Sequence, residues 1–358
     1  MKLAVVDANA YWTEQLYSQC ARFAEVLLVK PRDFRAHRAQ TGSLRSDGGP
    51  IEKGARLWEQ RLAMPPGWMV TLWPLAERRL SRVIRRFAGG ESLVLVITYP
   101  QYRGLLKSLH PVLGVYYNCD DYRDHWKRYR QQVPRWEKET VETADATICI
   151  AKHRANRLSQ DHPDASGRIH HLPIGVTPEF LADPAPHAGP TDPPARATAG
   201  YIGALNYRFD FGLVAESAAR LPHVQFVLGG QVQEDGDPAW RRGLRRARNT
   251  PNIQFIGWVK HESLSRELAA FDVLLMPYSH CNFNTNACPA KLWDYLSTGK
   301  PIVANDANPE TLMFREVVHV GDTPTAFAAA IRHALEHPDE PARERRLEIA
   351  REHTWEKL

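Results

Sequence analysis

Two series of short apolar runs, separated by a proline-rich stretch, constrain this chain more than any other feature. The first half carries "KLAVVD", "EVLLVK", "SLVLVIT", "VLGVYY" and "ATICI"; the second carries "TAGYIGAL", "VQFVLGG", "NIQFIG", "DVLLMP", "PIVA" and "VVHV". Runs this short and rich in Val and Ile, with amphipathic segments of roughly 10 to 20 residues between them, predict βαβ units and a parallel sheet. Between the series lies "LADPAPHAGPTDPPARAT", residues 181–198. Proline lacks the amide donor and fixes its own backbone angle, so this stretch extends neither sheet and reads as a linker. The expected fold class is α/β, with two Rossmann-like, doubly wound domains. Residues 1–180 form the first, 199–340 the second, and 341–358 a charged terminal helix. Ligands of open α/β sheets bind beyond the carboxyl ends of the strands, so two such domains facing each other predict a cleft.

Length and composition agree with two cores: 358 residues, 43% apolar and 24% charged, is ordinary globular chemistry. Cys20, Cys119, Cys149, Cys281 and Cys288 occur singly, which excludes a zinc ribbon or a disulfide framework and predicts reduced thiols. The opening "MKLAVVDANAYW" lacks a signal-peptide core, and no apolar run approaches the roughly 18 residues of a membrane span, so a cytoplasmic location is expected. Charge is uneven: residues 1–180 hold 27 Lys and Arg against 19 Asp and Glu, and residues 181–358 hold 19 against 22. Within "ERRLSRVIRRF", Arg78, Arg79, Arg82, Arg85 and Arg86 recur at helical spacing. They read either as a solvated helix face or as a surface for anionic lipid head groups or nucleic acid, and of these partners a peripheral contact at the inner membrane face, without nucleic acid, is the expectation.

Two stretches of the second half suit an anionic ligand. In "GYIGALNYRFDFGLVAE" a strand ending at Gly203 and a helix starting near Asp210 would present backbone amides to a phosphate, with Arg208 able to fork onto its oxygens. Asp210 reads equally as a plain helix cap. In "NFNTNACPAKLWDYLSTGKPIVAND", Pro289 suits a first helical turn and Gly299 a stop, with Leu292, Tyr295 and Leu296 as the apolar stripe. Lys291 in the first turn opposes the helix dipole, which a bound anion would offset. Asp294 suits two vicinal ribose hydroxyls, and Asn286 a sugar ring. Together these residues fit a nucleotide-diphosphate sugar, although a simple surface pair of Lys291 with Asp294 fits the spacing as well.

The run "PAKLWDYLSTGKPIVAN", with "FDVLLMPYSHCNFNTNAC" before it, resembles the donor-site signature of retaining GT-B glycosyltransferases of the group 1, family 4-like type, especially bacterial teichuronic acid and capsule enzymes. "YIGALNYRFDFGLVAESA" is similar to the family's first donor-domain strand and loop, "NIQFIGWVKHESLSRELAAFD" to its base-side segment, and "HHLPIGVTPEFL" to its interdomain crossover. "VYYNCDDYRDHW" and "ETADATICIAKHRANRL" resemble acceptor-side segments. The resemblance covers about residues 90–358. It implies a hexosyltransferase that retains anomeric configuration, needs no metal or other cofactor, and moves a sugar to a hydroxyl of a glycan or lipid-linked acceptor in cell-surface polysaccharide biosynthesis. Arg208 and Lys291 would act on the diphosphate at Gly203, Asp294 on the ribose, Asn286 and Asp210 on the sugar, and Gly257 to Val259 on the base. Asp120 and Asp121 would lie on the acceptor side. The chain departs from the pattern in three places: Asn286 stands where the family has the first of two Glu residues, Ile174 precedes Gly175 in place of Asn, and "DANAYWTE" replaces an N-terminal glycine-rich loop.

Competing motifs read as structural. Asp235-Gly236-Asp237 matches a metal-binding Asp-x-Asp but reads as a turn. Asp120, Asp121 and Asp124 offer oxygens to a cation, though adjacent Asp side chains point apart. His170 and His171 read as loop residues. Arg241, Arg242, Arg245, Arg246 and Arg248 lack the aromatic interleaving of a nucleic-acid site and read as a solvated face. Two alternatives to a transferase remain on sequence: a nucleotide-sugar epimerase of the same fold, and a non-catalytic nucleotide-sugar-binding partner subunit.

Overall fold

The computed structural model describes residues 1–123, 129–176, 181 and 196–358. The predicted linker lies almost wholly outside the described residues, as does Asp124. The chain divides into two compact units, Met1–Pro173 and Ile174–Lys357.

The strands of the first unit are β1 (Lys2–Val6), β2 (Glu25–Asp33), β3 (Ile51–Gly54), β4 (Leu57–Met64), β5 (Leu93–Ile97), β6 (Leu113–Asn118), β7 (Ala146–Cys149) and β8 (Ile169–His171). They form one sheet in the order β3-β4-β2-β1-β5-β6-β7-β8, parallel except for the β3–β4 hairpin at one edge. The helices are α1 (Tyr11–Gln19), α2 (Phe34–Thr41), α3 (Trp73–Ala88), α4 (Arg103–Leu109), α5 (Val133–Thr143) and α6 (Lys152–Asp161). Helices cover a parallel sheet, so its central strands read as continuous apolar runs; Ala4, Val5, Val6, Leu27, Leu28 and Val29 are all essentially without exposure. Helix α3 buries Ala76, Leu80, Ile84 and Ala88, one residue every four, and turns Arg78, Arg82 and Arg86 outward.

In the second unit β9 (Thr198–Ile202), β10 (Gln225–Gly229), β11 (Ile253–Gly257), β12 (Val273–Met276), β13 (Ile302–Ala304) and β14 (Val318–Val320) form an all-parallel sheet in the order β11-β10-β9-β12-β13-β14. This is the doubly wound order 3-2-1-4-5-6, whose direction reverses between β9 and β12. Its helices are α7 (Phe211–Arg220), α8 (Pro238–Arg248), α9 (Leu264–Ala269), α10 (Asn282–Asn286), α11 (Ala290–Ser297), α12 (Pro309–Leu312), α13 (Pro324–Glu336) and α14 (Glu340–Glu352). The predicted terminal helix is α14, and it packs on α11 within this unit. Behind it, the Val176 N–H donates to the His353 carbonyl at 2.8 Å, and Trp355 covers Gly175, where a Cβ would strike the indole. The plain Ile174-Gly175 step therefore seats an aromatic ring.

The strands β3, β4 and β8 are absent from the sequence expectation. All four residues of β3 are exposed, and β8 is a three-residue edge strand with one ladder. Neither carries an apolar run. His170 and His171, expected in a loop, lie on β8 and are exposed.

Candidate functional site

The carboxyl edge of the second sheet is stitched by backbone hydrogen bonds. The Gly203 N–H, just past β9, donates to the Gly229 carbonyl at 2.8 Å, and the Gly230 N–H donates to the Gly257 carbonyl at 2.6 Å. Gly257 has φ +72°, a left-handed conformation that favours glycine, and Val259 sits close to Gly229. Trp258 between them is 75% exposed.

The loop from Ala204 to Asp210 is held by side chains around it. The Tyr207 N–H donates to Asp235 Oδ1 at 2.9 Å. Trp240 Nε1 donates to the Asn206 and Phe209 carbonyls at 2.9 and 3.0 Å. Asp237 caps α8 through the Trp240 N–H, so both acids of Asp235-Gly236-Asp237 are occupied by backbone donors, as the turn reading requires. Asp210 caps α7, accepting from the Leu213 N–H at 2.9 Å. Its carboxylate is therefore committed to the helix end.

A second loop closes on the first. The Ser279 N–H and Asn284 Nδ2 both donate to the Arg208 carbonyl, at 2.8 and 2.9 Å. Asn308 Nδ2 in turn donates to the Asn284 and Ala287 carbonyls. The Asn-rich stretch thus does largely structural work. Asn286 is 1% exposed and donates to the Asn282 carbonyl at 2.8 Å, leaving its own Oδ1 without a hydrogen bond. Arg208 stands over the Phe283 ring at 4.4 Å, with its Nε bonded to Asn206 Oδ1.

Lys291 enters this setting from the first turn of α11, after Pro289 as N-cap. A Cβ on Gly203 would collide with its Nζ and Cε, so the bare glycine is what admits the ammonium. Among the described residues Lys291 makes no hydrogen bond or ion pair; its Nζ lies 5.1 Å from the centre of the Tyr201 ring. Burial, reinforced by the charge of Arg208 and opposed by that of Asp294, brings its pKa down to about 8. Two cations close together, with no neutralising contact on Lys291 among the described residues, suit an anion. Asp294 lies one turn further along, partly buried. The surface-pair alternative for Lys291 and Asp294 does not describe this arrangement.

Helix α11 is braced from behind. Trp293, outside the predicted apolar stripe, is buried against His353 (4.5 Å between ring centres) and Phe314 (5.4 Å) because α14 packs there. Buried Arg346 of α14 donates to the Gly299 and Val317 carbonyls, both at 3.0 Å. Tyr201, Phe283, Asn284 and the Gly229-Gly230 pair were not singled out by sequence; "VLGGQ" at a strand end was the one available signal.

In the first unit Asp121 is not open to a ligand. Its carboxylate accepts from Arg123 Nε at 2.8 and 3.0 Å and pairs with an Arg123 Nη. Burial alone would raise its pKa, but the Arg123 hydrogen bonds and the charge of Arg154 hold it well below the usual carboxylate range. Arg154 is also paired with buried Glu137, which accepts from Asn118 and Tyr116. Asp120 beside it is partly buried, and its carbonyl accepts from Asn118. Among the described residues no group of three or more His, Cys, Asp or Glu is placed to hold a metal. Among the described residues no helix is long and apolar enough to cross a membrane.

Residues 212–358 match the model of the family described as glycosyl transferase-like. The chain is 26% identical over 283 residues, 75% of its length and 70% of the relative's, to a Bacillus subtilis strain 168 protein assigned to teichuronic acid biosynthesis as the glycosyltransferase TuaH. Among solved structures it resembles an α,α-trehalose-phosphate synthase (UDP-forming) from Burkholderia vietnamiensis, with TM-score 0.70 and 12% identity over 99% of this chain and 97% of that one. It also resembles a sucrose-phosphate synthase from Thermosynechococcus elongatus, with TM-score 0.69 and 16% identity over 99% and 96%. Fold, sheet order and family match converge: the chain has the GT-B fold, its residues 212–358 match the glycosyl transferase-like family, and together these support a GT-B glycosyltransferase.

Proposed function

We propose that the chain transfers a sugar from a nucleotide-diphosphate donor to a hydroxyl of a glycan or lipid-linked acceptor, with retained configuration and without a metal. The observation that carries this reading is the ammonium of Lys291, packed against Gly203 with Arg208 close by and no carboxylate bonded to it. A diphosphate there supplies the missing counter-charge. Asp294 takes the ribose and the edge from Gly257 to Val259 takes the base. The sugar lies toward Asn286, whose free Oδ1 accepts a hydroxyl hydrogen if α10 yields slightly. Asp210 then acts through the helix it caps.

In the reaction the bond between the anomeric carbon and the diphosphate oxygen breaks, and the electron pair leaves with the diphosphate. The acceptor oxygen bonds to the same face, and its proton passes to the departing phosphate. Charge grows on the leaving group, so Lys291 and Arg208 stabilise the transition state more than the bound donor. One preorganised donor of this sort contributes about 3 to 4 kcal/mol. Metal ions have no assigned part in this scheme.

Support for cell-surface polysaccharide work comes from the teichuronic acid relative. A peripheral position on an anionic membrane fits Arg78, Arg82 and Arg86 of α3, which are exposed and form no ion pair among the described residues. The test is nucleoside diphosphate release from a panel of nucleotide sugars, in the presence of a chelator, by the wild type and by Lys291→Ala. Release by the wild type alone supports the reading, and equal release by both sinks it. A donor epimerised without release would establish the epimerase instead.

A further inference from the structure

The first unit has its own strand-order reversal, between β1 and β5, and the structure places an unusual relay there. Asp7 ends β1 with φ +66°, a left-handed conformation rare outside glycine, and is 9% exposed. Its backbone is pinned by the Asp7 and Ala8 N–H groups, both donating to the Val29 carbonyl. Its carboxyl accepts from Tyr102 Oη at 2.7 Å and from Asn9 Nδ2. Asn9 Nδ2 also donates to the Pro31 carbonyl, which fixes the amide so that Asn9 Oδ1 accepts from Arg32 Nε at 2.8 Å. Burial raises the Asp7 pKa, against the Tyr102 and Asn9 hydrogen bonds and the charge of Arg32.

Arg32 is the odd cation of this edge. Lys30 is neutralised by Glu14 and Glu59, both at 2.7 Å, and Arg61 by Glu59 at 2.6 Å. Arg32 forms no ion pair among the described residues, and the relay uses only its Nε. Its two terminal nitrogens remain for a ligand on a guanidinium whose orientation is already set, which is the geometry of carboxylate or phosphate recognition. A strained, buried residue held by two partners is costly for a fold unless the position it enforces is used.

We propose that Arg32, held at its Nε by the Asn9–Asp7–Tyr102 relay, selects an acceptor that carries a negative charge, a sugar carboxylate or a sugar phosphate. This rests on the transferase reading, with the sugar acceptor bound by the first unit. Arg32 contacts the anion, and Asp7 and Asn9 are positioning residues. The Asp121 pair, closed by Arg123, plays no part in acceptor binding.

The test is thermal unfolding of the whole chain with glucose, glucuronate, glucose 6-phosphate and, separately, UDP and GDP, for the wild type, Arg32→Gln and Arg32→Lys. The wild type is expected to be stabilised by glucuronate or by glucose 6-phosphate and not by glucose, and the responding acid identifies the anion's source. Arg32→Gln should weaken that ligand by roughly 10- to 100-fold, Arg32→Lys should recover part of it, and the nucleotide response should be the same in all three. Stabilisation by glucose equal to that by the acids, no response to either acid, or an acid response kept in Arg32→Gln overturns the proposal. A missing nucleotide response with the acid response intact would count against the donor site and leave this assignment standing.

Discussion

The ammonium of Lys291 occupies the space that a side chain at Gly203 would fill. Strand β9 and helix α11 thereby place a cation directly beyond the sheet where the strand order reverses, with Arg208 on the neighbouring loop. A fold rarely buries a lysine with no acid bonded to it, and on the proposed reading a donor diphosphate would supply that counter-charge.

The first prediction separates activity from stability at that contact. Lys291→Met should lose turnover by roughly 100- to 1,000-fold. Its unfolding temperature should match or exceed that of the wild type, because an unpaired, desolvated charge has been replaced by an apolar side chain. Thermal melts beside initial rates check both; a clear fall in unfolding temperature would mean that Lys291 is structural.

Gly203→Ala tests the same contact from the other side. The new Cβ meets the flexible end of a lysine and not backbone, but Gly203 has φ +159°, a conformation L side chains rarely adopt, so a stability cost of about 1 to 3 kcal/mol is expected. Turnover should fall far more, since the ammonium must move. Denaturant melts and rates together decide; wild-type turnover would show that the position of the Lys291 ammonium is unimportant.

Nucleotide binding should depend on pH through Lys291. Its pKa in the free protein is lowered to about 8, so the ammonium that meets a diphosphate is progressively lost as pH rises through that value. Affinity should therefore drop between about pH 7 and 9, and Lys291→Met should flatten the profile. For stability the sign is opposite: the unfolded chain holds this proton to higher pH than the folded one, so this group's contribution to stability rises from about pH 8 upward toward its unfolded value. Calorimetric titrations across that window test both statements.

Asp121→Asn should behave as a folding variant. It removes one partner of a buried pair whose Arg123 side chain is 28% exposed, so the loss should be about 1 to 3 kcal/mol, below the range for fully buried pairs. Because the Asp121 pKa is held low, its contribution is present above the unfolded carboxyl value and disappears as pH falls through the acid range. Donor hydrolysis should be unchanged, and a large loss of rate with intact stability would restore Asp121 to the site.

The exposed arginines of α3 should hold the chain to anionic vesicles. Sedimentation with phosphatidylglycerol vesicles should decline with salt, and replacing Arg78, Arg82 and Arg86 with Gln should abolish it while sparing hydrolysis of a water-soluble donor. Binding that survives the triple change would move the membrane contact elsewhere.

Sequence made the double α/β plan legible because strands buried on both faces leave uninterrupted Val and Ile runs, as in "KLAVV" and "VLLM". It concealed β3 and β8, which lie at sheet edges and need no such run, and the interior strand β4, whose apolar run is broken by buried Glu59 and Gln60. At the site it disclosed Lys291, Arg208 and Gly203, whose types and spacing already imply an anion. It did not disclose what the Asn residues do, because an amide that bonds a loop carbonyl, as Asn284 does, has the same letter as one that bonds a sugar. Asp210 and Asp121 carry the same ambiguity in sequence: a helix cap and a closed ion pair differ from a ligand contact only in their partners. The Asp7 relay joins residues 7, 9, 32 and 102, a juxtaposition that only the register of β1 against β2 and β5 creates.

Whether Lys291 is the counter-charge for a donor diphosphate can be read by calorimetric titration. UDP, GDP, dTDP and CMP would each be titrated into the wild type and into Lys291→Ala. At least one diphosphate should bind the wild type, CMP should bind far more weakly, and Lys291→Ala should lose at least about tenfold in affinity for that diphosphate. Equal affinity of the two proteins for the same diphosphate would contradict that role.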